Sequence, residues 1–249
     1  MLAAGCNDLA VAANHEILAL FDLDGTLLRA GDPVHHAAFE HACRLVFGVE
    51  IDVTSLELAG AVDRRLYEQA AALTGMDERD AAARFGEWVA VVGRFYRLRV
   101  HEGDRLSWVL PGAADVLRKL RATGIAMAVG TGSVREVAEL KLSTSGLSDY
   151  FPVGAFGDEV TVRSELVTSA VGQASRRYGR KFLAANAVVI GDTPADITAA
   201  RETGARVVAI ATGRFDVDEL DALGPDAVFA DLTNADAVIK AIREPNSLN

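Results

Sequence analysis

Short apolar runs alternate with stretches of helical periodicity along most of this chain. Each run is bounded by polar or turn-forming residues, and such runs are typical of strands that are buried on both faces of a sheet. We therefore predict strands at residues 17–21, 125–129, 151–156, 187–190, 206–210 and 227–229.

The segments between these runs carry apolar residues at the spacing of one helix face. Beyond Pro111, this spacing predicts helices at residues 111–123, 133–145, 164–178, 195–203, 217–223 and 234–242. Repeated strand–helix–strand units imply a parallel sheet with helices on both faces. We therefore predict an α/β fold whose core is a Rossmann-like, doubly wound parallel sheet.

The region between the first two strands has a different pattern. Helical spacing recurs at residues 34–47, 63–73 and 77–100, and no strand-like alternation stands out between residues 33 and 100. Asp32 or Pro33 is expected to start the first of these helices. We predict an all-helical cap domain at residues 31–107, inserted into a catalytic core formed by residues 15–30 and 108–245.

Acidic residues follow two of the predicted strands. Asp22 and Asp24 come after the first strand, and Asp192 and Asp196 come after the fourth. An Asp-Gly turn can end a strand for conformational reasons alone, but ligands of open α/β sheets bind beyond the carboxyl ends of the strands. Because close, partly buried carboxylates repel each other unless a cation or a shared proton intervenes, the two clusters together predict a divalent-cation site.

Composition and charge narrow the class of protein. Half of the 249 residues are hydrophobic, so a sizeable core is expected, and the formal net charge is −10. This charge argues against nucleic acid or an anionic membrane as the main partner. No run approaches the roughly 20 apolar residues of a membrane span. The two cysteines, Cys6 and Cys43, have no metal-ligand spacing, which favours a reducing, cytoplasmic compartment.

The stretch from Leu2 to Cys6 looks like a bacterial lipoprotein cleavage box. Such a box normally follows a basic region and an apolar stretch, whereas only Met1 precedes it here. We therefore expect no lipidation.

Three motifs carry a resemblance to a known family. The chain reads DLDGT from Asp22, GTGS from Gly130 and GDTPAD from Gly191, each after an apolar run. It resembles the haloacid dehalogenase superfamily, and within it the phosphoglycolate phosphatase-like enzymes with an inserted helical cap. The similarity extends from about Ile17 to Ile242. It implies a Mg²⁺-dependent phosphatase that acts on a small phosphorylated metabolite.

The resemblance implies roles for five residues near the first two strands. Asp22 is the expected nucleophile, which forms an aspartyl-phosphate, and Asp24 is the expected general acid and base. An acid at the second position favours phosphoryl transfer over dehalogenation. Thr131, with Gly132 and Ser133, resembles the family's phosphate-binding turn, where a hydroxyl and backbone N–H groups meet a helix N-terminus. Ser133 is alternatively only a helix cap.

The same resemblance implies a ligand set for magnesium. It comprises Asp22, the backbone carbonyl of Asp24, Asp192, and Asp196 as a further or indirect ligand. Hard oxygen ligands with phosphate as a co-ligand favour Mg²⁺. Pro194 is expected to open the helix that carries Asp196, and Asp196 alone is equally well explained as a first-turn acid of that helix.

The chain departs from the family at its conserved lysine. Related chains usually have Lys-Pro after the third strand, whereas Arg163 is the nearest cation at that position here. An arginine there can neutralise phosphate and Asp22 with a planar fork of donors. Lys141 and Lys181 are weaker candidates because both are interpreted as solvated charges.

The inserted cap is expected to determine the substrate, because its closure excludes water from the site. Asp63 is a candidate helix cap, and Arg64 or Arg65 is a candidate contact to an anionic substrate, although two arginines on a helix are more often a charged face. His35 and His36 are expected to face solvent.

We therefore predict a Mg²⁺-dependent phosphomonoesterase, either a monomer or a homodimer. Two alternatives stay open. A phosphomutase uses the same nucleophile and returns the phosphate to another hydroxyl group, and a non-catalytic phosphate-ligand binding module is suggested only by the missing lysine.

Overall fold

The computed structural model describes residues 17–56, 58, 60–101 and 105–244. Within these ranges six strands form one parallel sheet in the order β3-β2-β1-β4-β5-β6. This sheet confirms the predicted α/β, doubly wound fold. The strands are β1 (Leu18–Phe21), β2 (Ala126–Thr131), β3 (Gly154–Phe156), β4 (Ala187–Gly191), β5 (Arg206–Ile210) and β6 (Ala227–Phe229).

Nine α-helices surround the sheet or form the cap within the same ranges. They are α1 (Pro33–Phe47), α2 (Asp63–Leu73), α3 (Glu78–Arg99), α4 (Ala113–Ala122), α5 (Arg135–Thr144), α6 (Arg163–Tyr178), α7 (Pro194–Thr203), α8 (Val217–Asp221) and α9 (Ala235–Arg243). None of the described helices is both long and apolar enough to cross a bilayer.

Strand β1 lies at the centre of the sheet and packs against the helices on both of its faces. Its side chains alternate between the faces, as in any strand. Ala19 and Phe21 pack towards α4, α5 and α9, whereas Leu18 and Leu20 pack towards α6 and α7. Because both faces are covered, every residue of β1 is buried, and its apolar run shows no alternation.

The cap consists of α1, α2 and α3, which share an aromatic core. The rings of Phe39 and Trp88 lie 5.1 Å apart in an edge-to-face arrangement, and the ring of Tyr67 lies 5.3 Å from that of Trp88. Val134 and Val137, at the start of α5, belong to the same buried cluster. The cap core therefore continues onto the sheet domain.

The chain leaves the core and returns to it at adjacent positions. Leu28 and Val109 form an isolated antiparallel bridge, and the N–H of Arg29 donates to the carbonyl of Trp108 at 2.9 Å. These contacts support the domain boundaries predicted at residues 30–31 and 107–108, which stay a prediction.

The observed elements differ from the predicted ones mainly at their ends. The third strand begins at Gly154 rather than at residue 151, and α5 begins at Arg135 rather than at Ser133. The N-cap of α1 is Asp32, with Pro33 as its first residue, as expected. The lipoprotein-like stretch from Leu2 to Cys6 lies outside the described residues.

Candidate active site

Three buried carboxylates meet at the carboxyl edge of the sheet. Strands β1 and β4 are neighbours in register, with Phe21 opposite Ile190, so Asp22, one residue after Phe21, and Asp192, two residues after Ile190, both lie at this edge of the sheet. Asp196 approaches from the first turn of α7. Each of these three aspartates offers an oxygen, and the three oxygens lie within 4.8 Å of one another. A cluster of hard oxygen donors this close fits a divalent cation.

Arg163 is the cation that faces this triad. Its Nη2 atom lies 3.0 Å from Oδ2 of Asp22 and 2.7 Å from Oδ1 of Asp196. Burial by itself would lower the pKa of the guanidinium, but the carboxylates of Asp196 and Asp22 raise it above its ordinary value. Arg163 therefore stays charged, at the start of α6 and next to the expected nucleophile.

One guanidinium is too little charge for three buried carboxylates. Burial raises the pKa of Asp22, and the negative charge of Asp196 adds to the increase although Arg163 opposes it. Burial is also the largest cause that raises the pKa of Asp192, and the negative charges of Asp22 and Asp196 raise it further. The triad therefore favours any species that adds positive charge, whether a proton or a metal ion.

These raised pKa values predict how pH affects the protein without metal. Unfolded carboxyl groups titrate near pH 4, so above that range the folded protein binds more protons than the unfolded chain, and the stability contributed by these groups falls as pH rises. We expect Asp192→Asn to weaken this decline and to raise the free energy of unfolding at pH 8 by at least about 1 kcal/mol, since one pKa unit is worth about 1.4 kcal/mol.

Urea unfolding in the presence of a chelator, at pH 5.5 and pH 8, measures this effect. Asp221→Asn, at an exposed position at the end of α8, serves as the control and should follow the wild-type protein. An equal pH dependence in wild-type protein and Asp192→Asn would contradict the electrostatic account.

Asp196 has two roles at once. Its Oδ2 atom accepts hydrogen bonds from the N–H of Thr193 at 3.1 Å and from the hydroxyl of Thr193 at 2.6 Å, which forms a capping box at the start of α7. Its Oδ1 atom pairs with Arg163. The interpretation of Asp196 as a first-turn acid is therefore confirmed, its role as a metal ligand stays a prediction, and Pro194 begins α7 as expected.

The side chain of Asp24 lies outside the carboxylate triad. Its Oδ2 atom is 2.6 Å from Nζ of Lys141 and 3.3 Å from the hydroxyl of Ser133. The interpretation of Lys141 as a solvated charge is wrong, because its side chain is only 3% exposed. Lys181 is exposed.

The spacing along α5 could have identified Lys141 in the sequence. Lys141 follows Val137 by four residues and Ala138 by three, so it shares their buried face of the helix. A lysine on an otherwise apolar face indicates a buried acidic partner or a polar cavity.

The turn after β2 lines the same pocket as Asp22. Thr131 and Ser133 are buried, and the N–H of Ser133 donates to Oγ1 of Thr131 at 3.3 Å. The alternative that Ser133 caps the next helix is wrong, because the N-cap is Val134 and makes no side-chain capping bond. The Ser133 hydroxyl instead faces Asp24 and Lys141.

The cap is docked against this turn. The N–H of Asp63 donates to the carbonyl of Gly132 at 2.7 Å, and the carboxylate of Asp63 accepts from the N–H of Val134 at 2.8 Å. Nη1 of Arg163 donates to the carbonyl of Gly60 at 3.3 Å. The interpretation of Asp63 as a cap of its own helix is wrong, because it is the first residue of α2 and binds the start of α5.

Two histidines that were expected in solvent lie in the pocket instead. His35 is 13% exposed, with Nε2 3.0 Å from Oδ2 of Asp63 and Nδ1 3.4 Å from Nζ of Lys141. His36 also lines the pocket, and burial lowers its pKa. The helical spacing again explains the error, because His35 precedes the buried Ala38 by three residues.

The structure does not bring Arg64 to this pocket. Its Nε atom pairs with Glu68 at 3.3 Å, and its guanidinium lies over the ring of Phe85. It lines a separate cavity between α2 and the start of α3. Arg65 is largely exposed and also pairs with Glu68.

The pocket beside the triad has a volume of about 150 Å³ and contains groups from both domains. The core contributes Asp22, Asp24, Arg163 and the turn after β2. The cap contributes His35 and His36 with four apolar side chains, which are Phe39, Val53, Leu58 and Leu66. The lining therefore combines a charged end, at Asp22 and Arg163, with a less polar part under the cap.

The chain is similar in sequence to proteins named as phosphatases. The protein named "Phosphoglycolate phosphatase, plasmid" from Cupriavidus necator is 28% identical over 232 residues, which cover 90% of this chain and 93% of that protein. A phosphoglycolate phosphatase from Synechococcus elongatus is 29% identical over 210 residues, with 83% and 89% covered.

Solved structures show the same fold. A β-phosphoglucomutase from Clostridium difficile superposes with a TM-score of 0.66 at 17% identity, covering 91% of this chain and 96% of that one. A hydrolase from Pseudomonas syringae gives a TM-score of 0.62 at 20% identity, covering 90% and 98%. The model of the haloacid dehalogenase-like hydrolase family matches residues 18–204, and the chain therefore belongs to that family.

Proposed function

We propose that this protein is a Mg²⁺-dependent phosphatase that hydrolyses a small phosphorylated metabolite through an aspartyl-phosphate on Asp22. One observation carries the proposal: the Asp22 carboxylate lies in a buried triad with Asp192 and Asp196, beside Arg163 and at the floor of the cap–core pocket. The relatives named phosphoglycolate phosphatase, which match along most of their length, support the same reaction class.

Asp22 attacks the phosphorus atom of the bound ester with a carboxylate oxygen. A bond forms between this oxygen and phosphorus, and the bond between phosphorus and the ester oxygen breaks. Asp24, in its acid form, gives its proton to the departing oxygen, so the alcohol leaves neutral. The position of Asp24, whose carboxylate lies outside the triad but lines the same pocket as Asp22, supports this division of roles.

The second step returns Asp22 to its starting state. Asp24, now a carboxylate, takes a proton from a water molecule while the water oxygen attacks phosphorus. The acyl-phosphate bond breaks and orthophosphate leaves. Arg163 places positive charge beside the transferring group, and the hydroxyls of Thr131 and Ser133 offer hydrogen bonds to its oxygens.

Asp22, Asp192 and Asp196 would hold the cation, and we propose Asp24 as a further ligand through its backbone carbonyl. When bound, Mg²⁺ neutralises part of the negative charge that gathers around the phosphoryl group. The triad favours this ion because its three carboxylates have one guanidinium to balance them.

The cap closes the pocket over the leaving group and excludes water. We propose this role for residues 31–107. We also propose a cytoplasmic site of action, which the acidic composition and the cysteine pattern support.

A panel of phosphate monoesters tests the proposal directly. Purified protein with Mg²⁺ should release orthophosphate from at least one small ester, and a chelator should abolish release until Mg²⁺ is added back. Isomerised sugar phosphate with little orthophosphate would favour the phosphomutase. Ligand binding without any turnover would favour the binding module.

Lys141 gives a prediction that depends on the chemistry of the leaving group. Lys141→Met removes the ammonium that lies 2.6 Å from Asp24 and orients its carboxyl group, so the geometry of proton transfer to the leaving oxygen should suffer. General acid–base catalysis contributes about 10²- to 10⁴-fold, and we expect kcat/KM on an alkyl phosphate, which reports the steps up to departure of the alcohol, to fall by at least about tenfold. The loss on p-nitrophenyl phosphate should be smaller, because nitrophenolate leaves without a proton.

Steady-state kinetics on both substrates measure this difference. Lys181→Met, which removes an exposed lysine, should behave as the wild-type protein. An equal loss of kcat/KM on both substrates would show that Lys141 acts on the fold or on phosphate binding rather than on proton donation by Asp24.

A further inference from the structure

The loop after β5 approaches the carboxylate triad from outside the residues that the family model matches. That match ends at residue 204, whereas the loop comprises residues 211–214. Its two central residues, Thr212 and Gly213, contact the segments that carry Asp22 and Asp192. We name this segment the β5 loop.

Gly213 lies directly against the Asp192 side chain. A Cβ atom on Gly213 would overlap Oδ2 of Asp192 and would lie 2.8 Å from its Cγ atom, and real Cβ contacts essentially never come this close. The backbone of Gly213 is not in the left-handed region. The position therefore needs glycine because it has no space for a side chain.

Gly25 confines the same carboxylate. A Cβ atom there would also overlap Oδ2 of Asp192 and would lie 2.7 Å from its Oδ1 atom. The hydroxyl of Thr26 donates to Oδ1 at 3.2 Å. The Asp192 carboxylate is thus enclosed by two glycines and oriented by one hydroxyl.

Thr212 ties the two enclosing segments together. Its hydroxyl donates to the carbonyl of Gly25 at 2.5 Å, so the β5 loop holds the turn that follows Asp22. The contacts form a closed series from the β5 loop to Gly25, from Gly25 to Asp192, and from Asp192 back to Gly213. A shift of the β5 loop would therefore release the turn and the carboxylate together.

We propose that Thr212 and Gly213 are positioning residues that set the affinity of the triad for its cation. They hold Asp192 in the orientation in which its oxygen meets those of Asp22 and Asp196. Neighbours that orient metal ligands typically contribute about 10- to 100-fold to metal affinity. The inference rests on the cation site of the proposed function and extends it to a part of the chain outside the family match.

The test measures Mg²⁺ binding by titration calorimetry and by the Mg²⁺-dependent shift of Tm, without any substrate. Gly213→Ala should weaken Mg²⁺ binding at least about tenfold, because the added methyl group must displace the Asp192 carboxylate. Thr212→Val should weaken binding several-fold, and Thr212→Ser, which keeps the hydroxyl, should restore affinity close to that of the wild-type protein.

The matched control is Gly86→Ala in α3, where an added Cβ atom meets nothing within 4 Å. It should bind Mg²⁺ as the wild-type protein does. If Gly213→Ala fails to fold, the Thr212 pair still decides the question.

The outcomes separate this inference from the proposed function. Wild-type affinity in both Gly213→Ala and Thr212→Val would overturn the positioning role while leaving the phosphatase intact. Wild-type protein that binds Mg²⁺ without hydrolysing any ester would overturn the phosphatase, and the variants would still test the positioning role. Wild-type protein that does not bind Mg²⁺ would overturn both.

Discussion

Asp22→Asn should lower turnover by at least about 10⁴-fold, the scale observed when a covalent nucleophile is removed. An amide oxygen carries no net charge and is a poor nucleophile for phosphorus, so the first bond to phosphorus does not form. Asp24, the other acid at the end of β1, pairs with Lys141, whereas Asp22 lies beside Arg163, so we do not expect Asp24 to replace it as nucleophile. The expected result is loss of kcat on every ester that the wild-type protein hydrolyses.

The fold should survive this change. Asparagine has nearly the shape of aspartate, and the backbone bond from the N–H of residue 22 to the carbonyl of Ile190 does not involve the side chain. The substitution also removes one of three mutually repelling carboxylates, so the free energy of unfolding without metal should equal or exceed that of the wild-type protein at pH 8.

Two measurements check the prediction together. Orthophosphate release gives the turnover, and urea unfolding in the presence of a chelator gives the stability. Asp221→Asn on the exposed end of α8 is the matched control for the chemical change. Substantial turnover in Asp22→Asn would refute the assignment of the nucleophile, and loss of turnover together with unfolding would leave it unsupported by this variant.

Arg163→Met should cost both activity and stability. The methionine side chain fills much of the same volume but removes the charge that lies 3.0 Å from Asp22 and 2.7 Å from Asp196. Removal of one partner of a buried ion pair typically costs about 3–5 kcal/mol, because the other charge stays buried without compensation. The bond to the Gly60 carbonyl of the cap is lost as well.

The loss of stability caused by Arg163→Met should depend on pH. The carboxyl groups of the triad can take up protons at low pH, so the destabilisation should be smaller at pH 5.5 than at pH 8. Saturating Mg²⁺ should recover part of the lost stability at pH 8, because the ion supplies the missing positive charge. Turnover should stay at least about tenfold below that of the wild-type protein even with Mg²⁺, since a charge beside the phosphoryl group is gone.

Arg163→Lys separates charge from shape. Lysine is the residue that related chains usually have after the third strand, and it restores a positive charge without the planar fork of donors. We expect it to keep more activity and stability than Arg163→Met does. Arg177→Met, at an exposed position of the same helix, controls for the loss of a cation from α6. Equal behaviour of the methionine and lysine variants would contradict the electrostatic role of Arg163.

The pattern of apolar residues along the chain was sufficient to predict the architecture of the core. The apolar runs predicted the six strands because a parallel sheet covered on both faces needs continuous apolar strands. The errors in the predicted elements fell at their ends, because capping interactions determine the residue at which a helix begins. Ser133 resembles an N-cap in the sequence, but its hydroxyl binds Asp24 and Lys141, so α5 begins two residues later.

The sequence by itself determined that Asp22 and Asp192 meet, because each follows an apolar run and the carboxyl ends of parallel strands share one edge of the sheet. This conclusion needed only neighbours along the chain and the general geometry of the fold. Arg163 was identified through the resemblance to the family, because it stands where related chains usually have a lysine.

Only the tertiary structure decided which groups surround those acids. Lys141, His35 and Gly213 are distant from Asp22 along the chain, and their contacts depend on the rotation of α5, the docking of the cap and the path of the β5 loop. Arg64 is the opposite case: it was a candidate substrate contact, but its side chain packs against Glu68 and Phe85 instead. A side chain's partner across the fold depends on packing between elements, and periodicity within one element does not specify that packing.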